Sequence, residues 1–371
     1  MFDRRLVEHF DWVLLALTFI LEGIGILTLY SAVNPNADMA NLQSLLYLKQ
    51  WYWICIGTTA MISMFIVNYK WLNRWAFSVY AFSLVLLVAV SFLGKEVSGS
   101  QRWLVLGMFS FQPSELVKIT LIIMLAQYFS GRASEKGWTL HDLWKPLVWT
   151  LIPFALIAKQ PDLGTGLIVL LIAASITIFV KIEFRSLMFL TGSGVFVSSA
   201  AWFFFLKGYQ KQRILAFINP ETDPLGAGYH IIQSKIAVGS GLFLGKGFLK
   251  GTQNALSFLP EQHTDFIFSV LAEEWGFFGS ALVVVLYLFL VIWGLSIAMR
   301  SKEPFGTILA VGVTCMIFWQ VIINIGMALG LLPVVGVPLP LISYGGSSLV
   351  STMIGLGLLM NISMRRFMFK D

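Results

Sequence analysis

The run Asn324-Ile325-Gly326-Met327-Ala328-Leu329-Gly330-Leu331-Leu332-Pro333-Val334-Val335-Gly336-Val337-Pro338-Leu339-Pro340-Leu341-Ile342-Ser343-Tyr344-Gly345-Gly346-Ser347-Ser348 carries no charge, yet is crowded with glycine and proline. It begins inside one apolar stretch, Phe305–Leu329, and ends against another, Leu349–Ser363. Backbone that leaves the helix at such a place has N–H and C=O groups that lipid cannot satisfy. It must therefore be packed in protein or line a cavity. By itself that suits a transporter's re-entrant loop as well as an enzyme.

The rest of the 371-residue chain agrees with a membrane setting. It is 57% hydrophobic and 15% aromatic but only 12% charged, against roughly 25% charged in a soluble domain. A soluble enzyme is excluded, and so is a disordered chain, which needs low hydrophobicity and high charge. A transmembrane helix takes about 20 apolar residues. Ten candidate stretches can be drawn: Trp12–Tyr30, Trp51–Val67, Trp75–Leu93, Pro113–Phe129, Leu147–Ala158, Leu163–Val180, Leu187–Leu206, Phe277–Ala298, Phe305–Leu329 and Leu349–Ser363. Leu147–Ala158 is short and holds Pro153, and it is included because Lys145 and Lys159 bracket it. Phe266 to Ala298 is too long for one upright span, so its first part, with Glu273 and Glu274, reads as a polar approach to the membrane. The first stretch reads as a retained signal anchor rather than a cleaved signal peptide. The expected fold is thus an all-α polytopic integral membrane protein, residues 1–371 forming a single transmembrane domain. Cys55 and Cys315 lie in apolar stretches and offer neither a disulfide framework nor a metal cluster.

Basic residues set the orientation. Alternate loops hold Arg4 and Arg5; Lys70 and Arg74; Arg132, Lys136 and Lys145; Lys181 and Arg185; Arg300 and Lys302; and Arg365, Arg366 and Lys370. The opposite short loops hold only Lys49, Lys95, Arg102 and Lys159. Both termini are expected in the cytoplasm, with one large extracytoplasmic loop, about 207–265, between helices 7 and 8. The net charge of +6 is then topological, and nucleic acid is not an expected partner. Val97–Gln112, Lys159–Asp162, the large loop and Gly330–Ser348 all face outward.

The outward segments hold the candidate chemistry. In Gln112-Pro113-Ser114-Glu115-Leu116-Val117-Lys118, proline suits a first helical position and Gln112 with Glu115 resembles a capping box. Glu115 and Lys118 can pair on one face, as a site or merely as a capped helix end with a snorkelling lysine. Gln160-Pro161-Asp162-Leu163-Gly164-Thr165-Gly166 repeats the device. Asp162 can cap its helix or meet Lys118 if the two helices touch, with Gly164 and Gly166 permitting close approach. A buried trio of Glu115, Lys118 and Asp162 would suggest a polar cavity open to the outer face.

Within the large loop, Tyr229 to Val238 alternates at roughly helical spacing and is expected along the outer interface. The run Gly239-Ser240-Gly241-Leu242-Phe243-Leu244-Gly245-Lys246-Gly247 lacks Walker spacing and a Ser or Thr after Lys246, so it is no phosphate loop. Leu259-Pro260-Glu261-Gln262-His263-Thr264-Asp265-Phe266 sets a carboxylate between water and lipid. An acid there commonly caps a helix. The functional alternative is a general base for a hydroxyl at the membrane surface. His263 with Asp265 is too little for a metal site. Arg102 and Arg213 are outer arginines, either simply exposed or placed to clamp a phosphate.

Taken together these motifs resemble the SEDS family, the shape, elongation, division and sporulation proteins. Gly99-Ser100-Gln101-Arg102-Trp103, the segments 112–118, 160–166 and 259–268, and the run 324–348 look like that family's motifs in family order, and the likeness covers nearly the whole chain. The compact length is nearer the rod-shape branch than the division branch. The resemblance implies a peptidoglycan glycosyltransferase that polymerises lipid II into glycan strands on the outer face of the cytoplasmic (inner) membrane during elongation. A class B penicillin-binding protein would be its transpeptidase partner within the elongation complex. It makes Asp265 the catalytic aspartate, Glu115, Lys118 and Asp162 site-supporting residues, and Arg102 and Trp103 part of the site wall. Arg213, His263, Ser343, Gly345 and Gly346 are expected at the substrate. A divalent cation, magnesium or manganese, could neutralise pyrophosphate, and no organic cofactor is implied. Two other readings stand beside this one. A lipid II flippase should show ionisable residues through the bilayer and an internal repeat, whereas here they gather near the outer face, Glu22 excepted. A non-catalytic scaffold for a transpeptidase leaves the outer charged cluster without a purpose.

Overall fold

The computed structural model describes residues 9–33, 45–97, 100–106, 109–131, 137–204, 206, 208–222, 226–256, 258 and 261–366. Arg4, Arg5, Gly99, Arg132, Lys136, Lys207, Leu259, Pro260 and Lys370, which entered the sequence reading, lie outside them.

The long helices are α1 (Trp12–Val33), α2 (Leu45–Ile66), α3 (Lys70–Leu93), α4 (Pro113–Ser130), α5 (Leu140–Lys159), α6 (Leu163–Phe179) and α7 (Phe184–Phe204). After the short α8 (Gly208–Ile218), α9 (Ala227–Ser240) and α10 (Thr252–Ala255) come α11 (Ile267–Arg300), α12 (Pro304–Ala328) and α13 (Gly346–Arg365). Every apolar stretch read from the sequence falls on one of the long helices. Six of these, α1, α3, α7, α11, α12 and α13, are long and apolar enough to cross a membrane, and the chain is a mostly helical polytopic membrane protein. Helices α4 and α13 are buried along nearly their whole length, while α7 stands at the periphery with Phe189, Phe196 and Phe203 exposed.

Two expectations change. Helix α5 is longer than the short span drawn for it. Its start is fixed by a Thr139–Asp142 capping box, and Pro146 and Pro153 lie inside the helix. The segment before α4 is not simply a loop between helices: β1 (Lys95–Val97), β2 (Ser100–Leu106) and β3 (Phe109–Phe111) form a small antiparallel sheet. Strands this short carry too few alternations to stand out in a sequence.

Helix α11 is broken at Gly276, whose φ of 65° and ψ of −160° lie outside helical space. The glycine run 239–247 fills the break. The N–H groups of Lys246 and Gly247 donate to the carbonyls of Glu273 and Glu274, and the N–H groups of Phe277 and Phe278 donate to those of Leu242 and Phe243. Both broken ends of the helix are thereby satisfied, as buried backbone requires. Glu273 fastens the loop further, its Oε1 accepting from Lys246 Nζ at 2.6 Å and from Thr252 N at 2.8 Å. A Cβ on Gly245 would overlap the Glu274 carbonyl, and its φ is +76°. Gly245→Ala is therefore expected to cost on the order of 2–4 kcal/mol, read as a lowered melting temperature of the detergent-solubilised protein. Gly239→Ala, which meets nothing within 4 Å, should melt like the parent.

Helix α9 is no loose interfacial helix. Ile231, Ser234 and Ala237 are buried, and Ser234 Oγ contacts Ser269 Oγ at 2.6 Å and donates to the Ala328 carbonyl. The large loop is thus anchored across the ends of α11 and α12.

Candidate active site

Asp265 sits at the foot of α11, where the large loop meets the membrane helix. The charge-free run after α12 holds it there. Asn324 Nδ2 donates to the Asp265 carbonyl at 2.9 Å and to the Val337 carbonyl at 2.7 Å. Ser343 Oγ donates to the Thr264 carbonyl at 2.6 Å while accepting from Leu339 N, and Tyr344 N donates to the His263 carbonyl at 2.9 Å. Gly336, at φ +74°, turns the loop so that a Cβ on it would lie 3.4 Å from Asp265 Oδ2. The irregular backbone foreseen at this depth is indeed packed in protein, and what it packs against is the 263–265 segment.

Opposite lies the start of α6. Asp162 is buried, accepts from Thr165 N at 3.3 Å as a helix cap, and accepts from Gln112 Nε2 at 3.0 Å. Arg102 reaches it from strand β2, Nη1 standing 3.6 Å from Asp162 Oδ1 while Nε donates to the Gln160 carbonyl and Nη2 to that of Pro161. Gly164 admits the run 330–345, since a Cβ there would overlap the Val335 carbonyl. Arg213 Nη1 donates to the Val334 carbonyl at 3.4 Å, bringing a second guanidinium to the same loop.

The result is a mixed field around Asp265. Burial raises its carboxyl, and Glu261 raises it further. Arg213 and Arg102 pull the other way, and the carboxyl ends pushed up to about 6. No donor among the described residues bonds to its carboxylate, which stays partly accessible. An acid that is ionised at neutral pH, unspent on hydrogen bonds and half out of water is fitted to accept a proton. Activity that needs the free carboxylate should fall as pH drops through about 6 and level off above it, with Asp265→Glu shifting the midpoint. An activity flat from pH 5 to 8 would contradict this.

Residues 11–367 match the cell cycle protein family that takes in FtsW, RodA and SpoVE. The chain belongs to that family. Among its FtsW/RodA/SpoVE relatives is the peptidoglycan glycosyltransferase MrdB of Escherichia coli K12, 41% identical over 364 residues, 97% of this chain and 95% of that protein. The fold matches a chain from a peptidoglycan synthase complex studied for the coordination of polymerization and crosslinking. That match has TM-score 0.81 and 32% identity, covering 96% of this chain and 98% of the other. It also matches the rod shape determining protein RodA of Thermus thermophilus at TM-score 0.72 and 29% identity, over 98% of each chain.

The other site candidates separate into groups. Glu115 and Lys118 pair at 2.7 Å, both buried, with Ser351 Oγ donating to Glu115 Oε2 at 2.9 Å. Asp162 does not complete a trio with them, because Arg102 and Gln112 already meet it. The Gln112–Glu115 capping box does not form either, since the Gln112 side chain is drawn to Asp162 instead. His263 stands 4.0 Å from Glu261 Oε2 and beside the Tyr344 ring; burial lowers its imidazole below the usual range, against the pull of Glu261. Ser343 has its hydroxyl occupied by backbone, Gly345 begins α13, and Gly346 lies against the Trp53 ring, where a Cβ would overlap it. Trp103 is carried beside Arg102 on β2. Sequence reasoning passed over Asn324, Gln112 and Gln160 as positioning groups. Asn324 left a signal: with Gln320 one turn before it, it is a buried amide in an apolar helix, where such a side chain needs partners.

Proposed function

We propose that this protein is a peptidoglycan glycosyltransferase that polymerises lipid II at the outer surface of the cytoplasmic membrane, with all ten long helices spanning and both termini inside. The observation that carries the reading is the Asp265 carboxyl: raised to about 6, given no hydrogen bond by the described residues, and set in the field of Arg102 and Arg213. Asp265 takes the proton from the 4-hydroxyl of the acceptor N-acetylglucosamine as that oxygen attacks the anomeric carbon of the donor N-acetylmuramic acid. The bond to undecaprenyl pyrophosphate breaks, and the electron pair leaves with the pyrophosphate. Because the donor linkage is alpha and the product beta, one displacement with inversion suffices, and no second carboxylate nucleophile is needed. Arg102 and Arg213 stabilise the developing phosphate charge. His263 and Trp103 belong to the wall that receives the sugars, Ser343, Gly345 and Gly346 shape the loop behind it, and the Glu115–Lys118 pair and Asp162 hold its helices in place. A magnesium or manganese ion would be held by the substrate's phosphates with the Glu261 carboxylate, leaving Asp265 free, and would supply charge neutralisation.

The likeness to a chain of a synthase complex supports a partnership with a class B penicillin-binding transpeptidase in elongation. The test is to supply purified lipid II to the solubilised protein, alone and with such a transpeptidase, and to look for glycan strands. Strands are expected. Movement of lipid II across liposomes without polymer would overturn the reading in favour of transport.

A further inference from the structure

At the far end of α11 from Asp265, the starts and ends of three helices enclose a polar cavity of about 270 Å³. Its walls include His9, Ser296, Arg300, Arg366, Trp12 and Trp293. Asp11, the one carboxylate among the described residues lining it, has both oxygens in use: it accepts from Leu14 N at 3.1 Å, from Trp293 Nε1 at 3.0 Å and from Ser363 Oγ at 2.9 Å. It ties α1, α11 and α13 together and shapes the cavity. The two guanidiniums are close enough to feel each other: burial first, then the charge of Arg300, lowers Arg366, with Asp11 opposing.

Arginines at the ends of α11 and α13 complement the helix dipoles. That accounts for one at each end, but it gives no reason for both to face a common cavity. Like charges brought together around a space are stabilised by an anion within it, and guanidiniums match phosphate oxygens with paired donors. Trp12 is exposed at 66%, and tryptophans of this kind settle at the level of lipid headgroups. Basic pockets between membrane helices bind such groups.

We propose that this cavity binds a phosphate group, held by Arg300 and Arg366 with the hydroxyl of Ser296 at its side. Its position at the membrane edge makes the headgroup of an anionic glycerophospholipid the first source to test, and free phosphate the second. The site is separate from Asp265 and does not depend on the catalytic reading.

The full-length protein would be placed in nanodiscs of mixed phosphatidylglycerol and phosphatidylcholine, and the retained lipid counted by native mass spectrometry. Retention of phosphatidylglycerol about tenfold or more over phosphatidylcholine is expected from two cationic side chains. The preference should vanish in Arg300→Gln/Arg366→Gln and persist in Lys145→Gln, a basic residue outside the cavity. Ser296→Leu fills the space while keeping both charges, so it must also lose the preference, which separates a built site from general attraction and does not rely on the double variant folding. In phosphatidylcholine discs, protection against heating by millimolar inorganic phosphate that disappears in the same variants would assign the site to a soluble anion. Absence of both effects, or a lipid preference unchanged in the double variant and in Ser296→Leu, would overturn the proposal.

Discussion

Asp265→Asn should abolish glycan polymerisation while leaving the protein folded and at least as stable as the parent. Removal of a general base typically costs 10² to 10⁴ in rate, so a loss of at least about 100-fold is expected in the lipid II assay. The stability half of the prediction follows from the direction of the shift. The carboxyl titrates near 3.8 when solvated and near 6 in the folded protein, so the fold disfavours its charged form. An acid raised in this way weakens the fold as pH climbs past the unfolded value, and the full cost is present above about 6. The neutral amide escapes that cost and, since no described residue donates to the carboxylate, breaks no hydrogen bond. A variant that is dead yet melts no lower than the parent at pH 7.5 is the signature of a group kept for chemistry. A variant that retains polymerisation within a few-fold would remove Asp265 from the mechanism. Equal recovery of the proposed transpeptidase partner on both proteins would show that the loss is catalytic.

Lys118→Met is expected to act through stability instead. Lys118 and Glu115 are 1% and 3% exposed, and the lysine is the one cation among the described residues that pairs with that carboxylate. Taking one member of a buried pair leaves an uncompensated charge, at a cost of about 3–5 kcal/mol, whereas replacing both is often close to neutral. The single variant should therefore melt far below the parent in detergent. Lys118→Met combined with Glu115→Gln should recover much of the loss, because the amide can still accept from Ser351. If the double variant regains both stability and polymerisation, the pair is scaffolding for the α4–α13 contact. If it regains stability alone, the charges also serve the reaction.

Membrane class and helix positions were legible in the sequence because hydrophobicity is a local property: a bilayer selects any apolar run long enough to span it, whatever its neighbours do. The charge-free run 324–348 was legible for a related reason, since backbone without helical partners cannot face lipid. The sequence by itself thus determined which segments form the long apolar helices, that the C-terminal run is buried, and, through motif likeness, that Asp265 is the residue to suspect. The partnerships were settled only by the tertiary structure, because they join residues far apart in the chain. Arg102 meets Asp162 only because a small sheet, invisible to hydropathy, swings β2 over the start of α6. The Glu115–Lys118 pair, three residues apart on α4, was legible in the spacing; what packing added was Ser351 of α13 on Glu115, and Arg102 rather than Lys118 at Asp162. The glycine run that resembled a phosphate loop closes the break in α11. Spacing along a chain encodes which groups share a face. Which faces meet is decided by the packing of whole helices, and that packing determines which charge neutralises which.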